Sequence, residues 1–136
     1  MRVVLFVVVL VLFAGCTPKK EYINIYDKNI TKEPLPCLGL DLMMSEALKK
    51  ELTKLYHFKP DCEYRISLDS RGGIVCNSSF NSALKANSNF PNSYLRLELK
   101  KGIKTLFSYY VDLTSSPDED DIKRAFEAFR DRVKLP

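Results

Sequence analysis

The side chains in this sequence that could carry covalent chemistry are four cysteines and a single histidine. A thiol becomes nucleophilic when a neighbouring base lowers its pKa, and His57 lies shortly before Cys62. No third residue that would orient the histidine can be identified, so we expect no catalytic site here. We favour structural roles instead, with His57 closing a helix and Cys62 packing inward.

A run of four carboxylates at positions 118–121 is the other chemically distinctive group. Consecutive helical side chains fan around the axis, so these carboxylates do not converge on one cation. They suit the positively polarised start of a helix. The segment 71–73, Arg-Gly-Gly, is interpreted as a hairpin turn rather than a phosphate loop. The sequence therefore predicts no enzyme, no metal and no cofactor.

The first fifteen residues have a different composition from the rest of the chain. Arg2 precedes an unbroken apolar run, VVLFVVVLVLF, at residues 3–13. As a helix this run would extend about 17 Å, well short of the roughly 30 Å of a bilayer core, and a secretory signal peptide fits it better. The sequence that follows, Leu12-Phe13-Ala14-Gly15-Cys16, resembles the lipobox of bacterial lipoproteins. Phe13 is the departure, because the family usually has leucine there.

The resemblance implies that Cys16 is lipidated after removal of residues 1–15, so that acyl chains anchor the protein to a membrane. Residues 16–21 would form a lipidated tether, and residues 22–136 a single periplasmic or surface domain. In such proteins a residue other than Asp after the cysteine favours the outer membrane, and Thr17 is that residue here. The net charge of +4 is too small to indicate a nucleic-acid partner.

Lipidation would leave Cys37, Cys62 and Cys76 in an oxidising compartment, where one disulfide and one free thiol are expected. A helix predicted over residues 41–56 would be about 24 Å long and would separate Cys37 from Cys62. If the next strand runs back along that helix, its turn lies near the helix start. We therefore predict a Cys37–Cys76 disulfide, with Cys37–Cys62 as the alternative.

Apolar periodicity outlines the remaining elements. We predict a first strand at residues 22–26, a loop at 27–36, and a hairpin that joins residues 62–68 to 74–80. Leu95, Leu97 and Leu99 alternate before a Lys101-Gly102 turn, and residues 107–113 alternate after it, so a second hairpin is predicted.

The caps expected for the two helices come from residue type. Asp41 is the predicted N-cap of the first. For the last helix we predict Ser116 as N-cap, Pro117 at the first helical position and Glu119 in a capping box.

Together these elements predict an α+β fold. The sheet would be small and antiparallel, built from two hairpins plus an N-terminal strand, with two amphipathic helices on one face. This layout resembles the small α/β domains of envelope-assembly and transport-accessory lipoproteins.

Two surface features complete the sequence analysis. Tyr109 and Tyr110 cannot both face the core of a one-sided sheet, so Tyr110 is our candidate for partner contact. The segment Asp27-Lys28-Asn29-Ile30-Thr31 resembles the acidic sequon of some bacterial N-glycosylation systems, with Asn29 as the acceptor.

Two functions follow as hypotheses. The first is a membrane-anchored accessory lipoprotein that binds another envelope protein in an assembly, transport or surface complex. The second is a lipoprotein that binds a small molecule, lipid or glycan, which would require a pocket between the helices and the sheet.

Overall fold

The computed structural model describes residues 19–73 and 91–136. In chain order the described elements are β1 (Glu21–Ile25), α1 (Asn29–Lys32), β2 (Gly39–Leu40), α2 (Glu46–Leu55), β3 (Tyr64–Arg71), β4 (Ser93–Lys101), β5 (Lys104–Leu113) and α3 (Glu119–Arg130). These five strands form one sheet in the order β1-β5-β4-β3-β2. None of the helices among the described residues has both the length and the hydropathy that a membrane span requires.

The second hairpin, which the sequence predicted, is formed by β4 and β5 and occupies the middle of the sheet. Lys101 pairs with Lys104 across a tight turn. Gly102 in this turn has a φ of 60°, a left-handed conformation that glycine adopts without strain. Successive strand residues point to opposite faces, and the leucines of β4 are completely buried on one of them.

The core lies between this apolar face and the two longer helices. Helix α3 contacts β4, β5 and α2. Phe129 of α3 packs edge-on against Phe107 of β5, with 5.4 Å between ring centroids. Leu52 of α2 is fully buried in the same core. Each such side chain contributes about 1.5–3 kcal/mol on burial, so the alternation in β4 and β5 is what holds the helices to the sheet.

The predicted α+β class is confirmed, but the sheet is mixed rather than antiparallel. β2 runs parallel to β3, with Gly39 opposite Arg65 and Leu40 opposite Ile66. Parallel neighbours need a crossover, and α2 supplies it. A Cβ at Gly39 would lie 2.7 Å from the carbonyl oxygen of Lys59, so only glycine allows the chain to pass there.

Some predicted boundaries were wrong. The segment 27–36 contains the one-turn helix α1, whose Ile30 is buried. Ser45 rather than Asp41 caps α2, because the Asp41 amide donates to the Ile66 carbonyl and so extends the β2–β3 pairing. Helix α3 starts two residues later than predicted. Its N-cap is Asp118, which forms a capping box with Asp121.

The preferred disulfide was also wrong, and the alternative is confirmed. Cys37 is bonded to Cys62, with their Cα atoms 5.8 Å apart. Each cysteine shortly precedes a strand, and the strands that follow them, β2 and β3, run parallel and side by side. The prediction placed Cys37 at the start of the helix now identified as α2, but β2 lies between Cys37 and that helix. The segment 56–62 instead returns beside Cys37, where the Lys59 amide donates to the Leu38 carbonyl.

The predicted strand at 74–80, with Cys76, lies outside the described residues. β3 pairs along its whole length with β4, from Tyr64 opposite Lys101 to Arg71 opposite Tyr94. This pairing of strands distant in the sequence was not predicted.

We expect the Cys37→Ser variant to be less stable than the parent. The bridge spans a sequence separation of 25, and a loop of that length corresponds to about 3–4 kcal/mol in the chain-entropy model. Urea unfolding without reductant measures the difference. The matched control is Cys76→Ser, which should retain the bridge and its stability. Equal losses in the two variants would instead support the Cys37–Cys76 pairing.

Candidate functional site

The face of the sheet opposite the core carries an unusual set of aromatic and charged side chains. We call it the tyrosine face, and it consists of Tyr22, Asp69, Tyr94, Arg96, Tyr110 and Asp112. These residues come from four strands. Their positions alternate with the buried residues of the core, so strand geometry alone directs them away from the helices.

Strand register arranges the tyrosine face in rows. Tyr22 of β1 is opposite Tyr110 of β5, and Tyr110 is opposite Arg96 of β4. Arg96 is in turn opposite Asp69 of β3. In the adjacent row Tyr94 is opposite Asp112, so each row combines tyrosine with charge.

The three tyrosine rings lie close together. The rings of Tyr94 and Tyr110 stack with centroids 5.6 Å apart and planes 23° apart. Tyr22 leans against Tyr110 with a centroid distance of 6.1 Å. The Lys20 ammonium lies 5.2 Å from the Tyr22 ring centre, a cation–π distance. The result is a continuous aromatic surface with cations at its border.

Two carboxylates fix the orientation of two of these rings. The Tyr94 hydroxyl donates to Asp69 at 2.9 Å, and the Tyr110 hydroxyl donates to Asp112 at 2.8 Å. Arg96 lies 3.3 Å from the same Asp69 oxygen. Because the acceptors are neighbours in the sheet, the phenols are held in place before any ligand arrives.

These contacts also determine the protonation of the phenols. Burial, followed by the hydrogen bond to Asp112, raises the pKa of Tyr110 to about 12. The hydrogen bond to Asp69 raises the pKa of Tyr94. Both phenols are therefore neutral at physiological pH and can take part in hydrogen bonds.

Tyr109 and Tyr110 lie on opposite faces of the sheet, as the sequence predicted. Tyr109 is 1% exposed and its hydroxyl donates to Glu21 at 2.9 Å. Burial, followed by this hydrogen bond, raises the pKa of Tyr109 well above its ordinary value. Tyr110 lies half-buried on the tyrosine face. Its proposed contact with a partner stays a prediction.

The other candidates from the sequence are placed as follows. Cys62 is buried and bonded to Cys37, so it is not available as a thiol beside His57, which is exposed. Asn29 is exposed at the start of α1, and its backbone N–H donates to the Asp27 carboxylate. Its glycosylation stays a prediction. Cys16 lies outside the described residues.

The acidic run is accounted for by capping. The Asp121 amide donates to Asp118 at 2.8 Å, and the Asp118 amide donates back to Asp121 at 3.2 Å. The hydrogen bond from the Asp121 amide lowers the pKa of Asp118.

A separate cleft of about 520 Å³ lies where α1 meets the β4–β5 turn. Both lysines that line it are paired within the protein. Lys101 pairs with Glu63 at 3.1 Å, and Lys104 lies 3.8 Å from Asp27. A ligand would have to displace these partners, so the tyrosine face is the better candidate site.

Sequence reasoning missed most of this face. The predicted alternation of β4 implied that Tyr94 and Arg96 point away from the core. Asp69 could not be placed beside them, because β3 was expected to pair with residues 74–80 rather than with β4. The useful signal would have been the matching polar alternation of β3 and β4.

Comparisons with protein-family models, curated proteins and solved structures found no match to this chain.

The Asp112→Asn substitution should lower the pKa of Tyr110, because it removes the charged acceptor that favours the protonated phenol. The residual effect of burial should keep that pKa above the ordinary value of about 10. Ultraviolet difference titration of tyrosinate measures the shift, and Tyr110→Phe identifies the transition. Asp69→Asn is the matched control, since it should move Tyr94 instead.

The same pKa predicts a pH dependence of stability. The pKa of Tyr110 is higher in the folded protein than in the unfolded chain. The stability that protonated Tyr110 contributes is therefore complete below pH about 10 and is lost as the pH rises towards about 12. Urea unfolding at alkaline pH should show a smaller loss for Tyr110→Phe than for the parent. If the stability of the parent and of Tyr110→Phe fell equally as the pH rises, Tyr110 would not be the group that causes the loss.

Proposed function

We propose that this protein is a lipid-anchored accessory protein of the bacterial cell envelope that binds another envelope protein through its tyrosine face. The observation that carries the proposal is the cluster of Tyr22, Tyr94 and Tyr110, with Arg96 opposite Tyr110 at its border. Tyrosine and arginine are the side chains most enriched at the energetic centres of protein interfaces.

Export and anchoring rest on the sequence and are supported by the disulfide. The apolar run at residues 3–13 and the lipobox-like segment ending at Cys16 provide the signal and the lipid site. A stable disulfide such as Cys37–Cys62 is typical of proteins that mature outside the cytoplasm. The outer membrane is favoured because Thr17 follows the lipidated cysteine.

The first described residues bear on how far the domain would stand from the membrane. Lys19 forms a 2.6 Å ion pair with Asp121, a carboxylate that is only 3% exposed, and so is held against the start of α3. A chain of three residues spans at most about 10 Å. A lipid on Cys16 would therefore keep this end of the domain close to the headgroups, and the partner would lie in or beside the same membrane.

The geometry of the tyrosine face suits a protein partner. Tyr94 and Tyr110 present rigid rings whose hydroxyl groups are already held by carboxylates, so little side-chain entropy would be lost on binding. Arg96 has a side chain that is 45% exposed and can donate further hydrogen bonds. The mixture of apolar rings and both signs of charge matches the polar character of non-obligate interfaces.

A glycan-binding lipoprotein is the second candidate, and one observation favours it. The stacked rings of Tyr94 and Tyr110 lie beside two carboxylates, Asp69 and Asp112. Aromatic rings can pack against the apolar face of a sugar while carboxylates accept hydrogen bonds from its hydroxyl groups. Chemical-shift titration of the isotope-labelled protein with soluble envelope glycans would identify this activity by saturable shifts at the tyrosine face.

The proposed partner binding can be tested by cross-linking pull-down of the full-length protein from intact cells. We expect one stoichiometric envelope protein with the parent and its loss with Cys16→Ala. Tyr110→Ala should weaken binding by about 2 kcal/mol, roughly thirtyfold in affinity, if Tyr110 is a central contact. Tyr110→Phe retains the ring and should bind better than the alanine variant.

Tyr64→Ala is the matched control, because Tyr64 belongs to the cleft below α1 and lies away from the tyrosine face. It should recover the partner as the parent does. Equal recovery with Tyr110→Ala would exclude the tyrosine face as the binding surface. Recovery of no partner by any form, from cells that lipidate the protein, would favour the glycan-binding alternative.

A further inference from the structure

Among the described residues, the edge strand β1 has no strand paired on the side that faces away from β5. It is the terminal strand, paired only with β5 in the described part of the chain. Four of its five residues are exposed, and two of its large side chains, Tyr22 and Ile25, are 42% and 39% exposed. The adjoining Tyr26 is 60% exposed. An edge with exposed apolar side chains is a template for pairing with another strand.

The hydrogen bonds of β1 show which backbone groups point outward. The Tyr26 amide donates to the Leu106 carbonyl at 2.9 Å, so Tyr26 directs its backbone groups towards β5. Orientation alternates along an antiparallel ladder, so Asn24 also points towards β5. Ile23 and Ile25 therefore direct their amides and carbonyls to the free side.

The sequence of this strand is palindromic. Residues 22–26 read Tyr-Ile-Asn-Ile-Tyr in both directions. An antiparallel copy centred on Asn24 would place each tyrosine opposite a tyrosine and each isoleucine opposite an isoleucine. The isoleucines are also the residues whose backbone groups point outward, so the side-chain match and the hydrogen-bond pattern select the same register.

We propose that the partner of this edge is a second copy of the chain, paired through β1 about a two-fold axis at Asn24. Ile23 of one protomer and Ile25 of the other exchange backbone hydrogen bonds, and the two Asn24 residues form the non-hydrogen-bonded pair between them. The two five-stranded sheets become continuous. Tyr22 of one protomer lies beside Tyr26 of the other, which extends the tyrosine face across the axis.

Neighbouring registers fit less well. A two-fold axis moved to Ile23 places the Glu21 carboxylate opposite Ile25 of the other protomer. An axis moved to Ile25 places Asp27 opposite Ile23 of the other protomer. The Asp27 amide cannot pair there, because it points towards β5 and donates to the Leu106 carbonyl. A shift of a single position would put unlike faces of the two sheets together. Only the axis at Asn24 matches every residue from 22 to 26.

Disulfide trapping of the full-length protein tests this register. In a Cys76→Ser background, Asn24→Cys places two thiols on a non-hydrogen-bonded pair, where Cα atoms lie about 4.5 Å apart, within the range that a disulfide spans. Mild oxidation in detergent should give a dimer on non-reducing electrophoresis. Ile25→Cys is the matched control on the same strand. Its two copies are diagonal neighbours about 7–8 Å apart and should give much less dimer.

Lys28→Cys, an exposed position beyond the strand, measures random collision. A dimer yield for Asn24→Cys that does not exceed that of Lys28→Cys, with the thiol reactive towards a labelling reagent, would overturn the proposal. A higher yield for Ile25→Cys than for Asn24→Cys would overturn the register and with it the proposal.

Sedimentation of the protein without added cysteines provides the second measurement. The parent should sediment at twice the monomer mass, and Ile25→Pro should remain monomeric. Ile25 is 39% exposed, and proline at this position removes an outward amide but no hydrogen bond to β5, so circular dichroism should match the parent. A monomeric parent at concentrations where Asn24→Cys cross-links would contradict a stable pair. Neither result depends on the proposed function of the tyrosine face.

Discussion

The antiparallel pairing of β4 with β5 is the constraint on which the rest of the structure depends. Its register assigns the leucines of β4 and Tyr109 to the core and assigns Tyr94, Arg96 and Tyr110 to the opposite face. A slip of one position would exchange these two sets. The tight turn at Gly102 and the buried leucines together prevent that slip. The register that forms the core therefore also forms the tyrosine face.

What the sequence could predict was the part of this fold governed by local patterns. The alternation around Leu97 and Tyr109 was sufficient to predict the β4–β5 hairpin and the outward position of Tyr110. The last helix was likewise predicted, although its cap was placed at Ser116 instead of Asp118. The start of a helix depends on which of several nearby side chains has the geometry to accept a hydrogen bond from a first-turn amide. Residue type alone does not determine that geometry.

What could not be predicted depends on contacts distant in the sequence. β2 has only two residues, too few to show a period, yet it makes the sheet mixed and brings Cys37 to Cys62. The pairing of β3 with β4 joins segments separated by more than twenty positions, and this pairing brings Asp69 to Tyr94. Local alternation states which face a residue occupies but does not identify the neighbouring strand. The tyrosine face was therefore predicted at one residue and missed as a cluster.

The strand β1 connects the features that matter for function. At its start, Glu21 accepts the hydrogen bond of the buried Tyr109, and Lys19 just before it pairs with Asp121 of α3. In its middle, Tyr22 completes the tyrosine face while Ile23 turns its backbone groups outward. Because these contacts alternate along one short strand, the proposed lipid tether, the binding surface and the free edge cannot move independently.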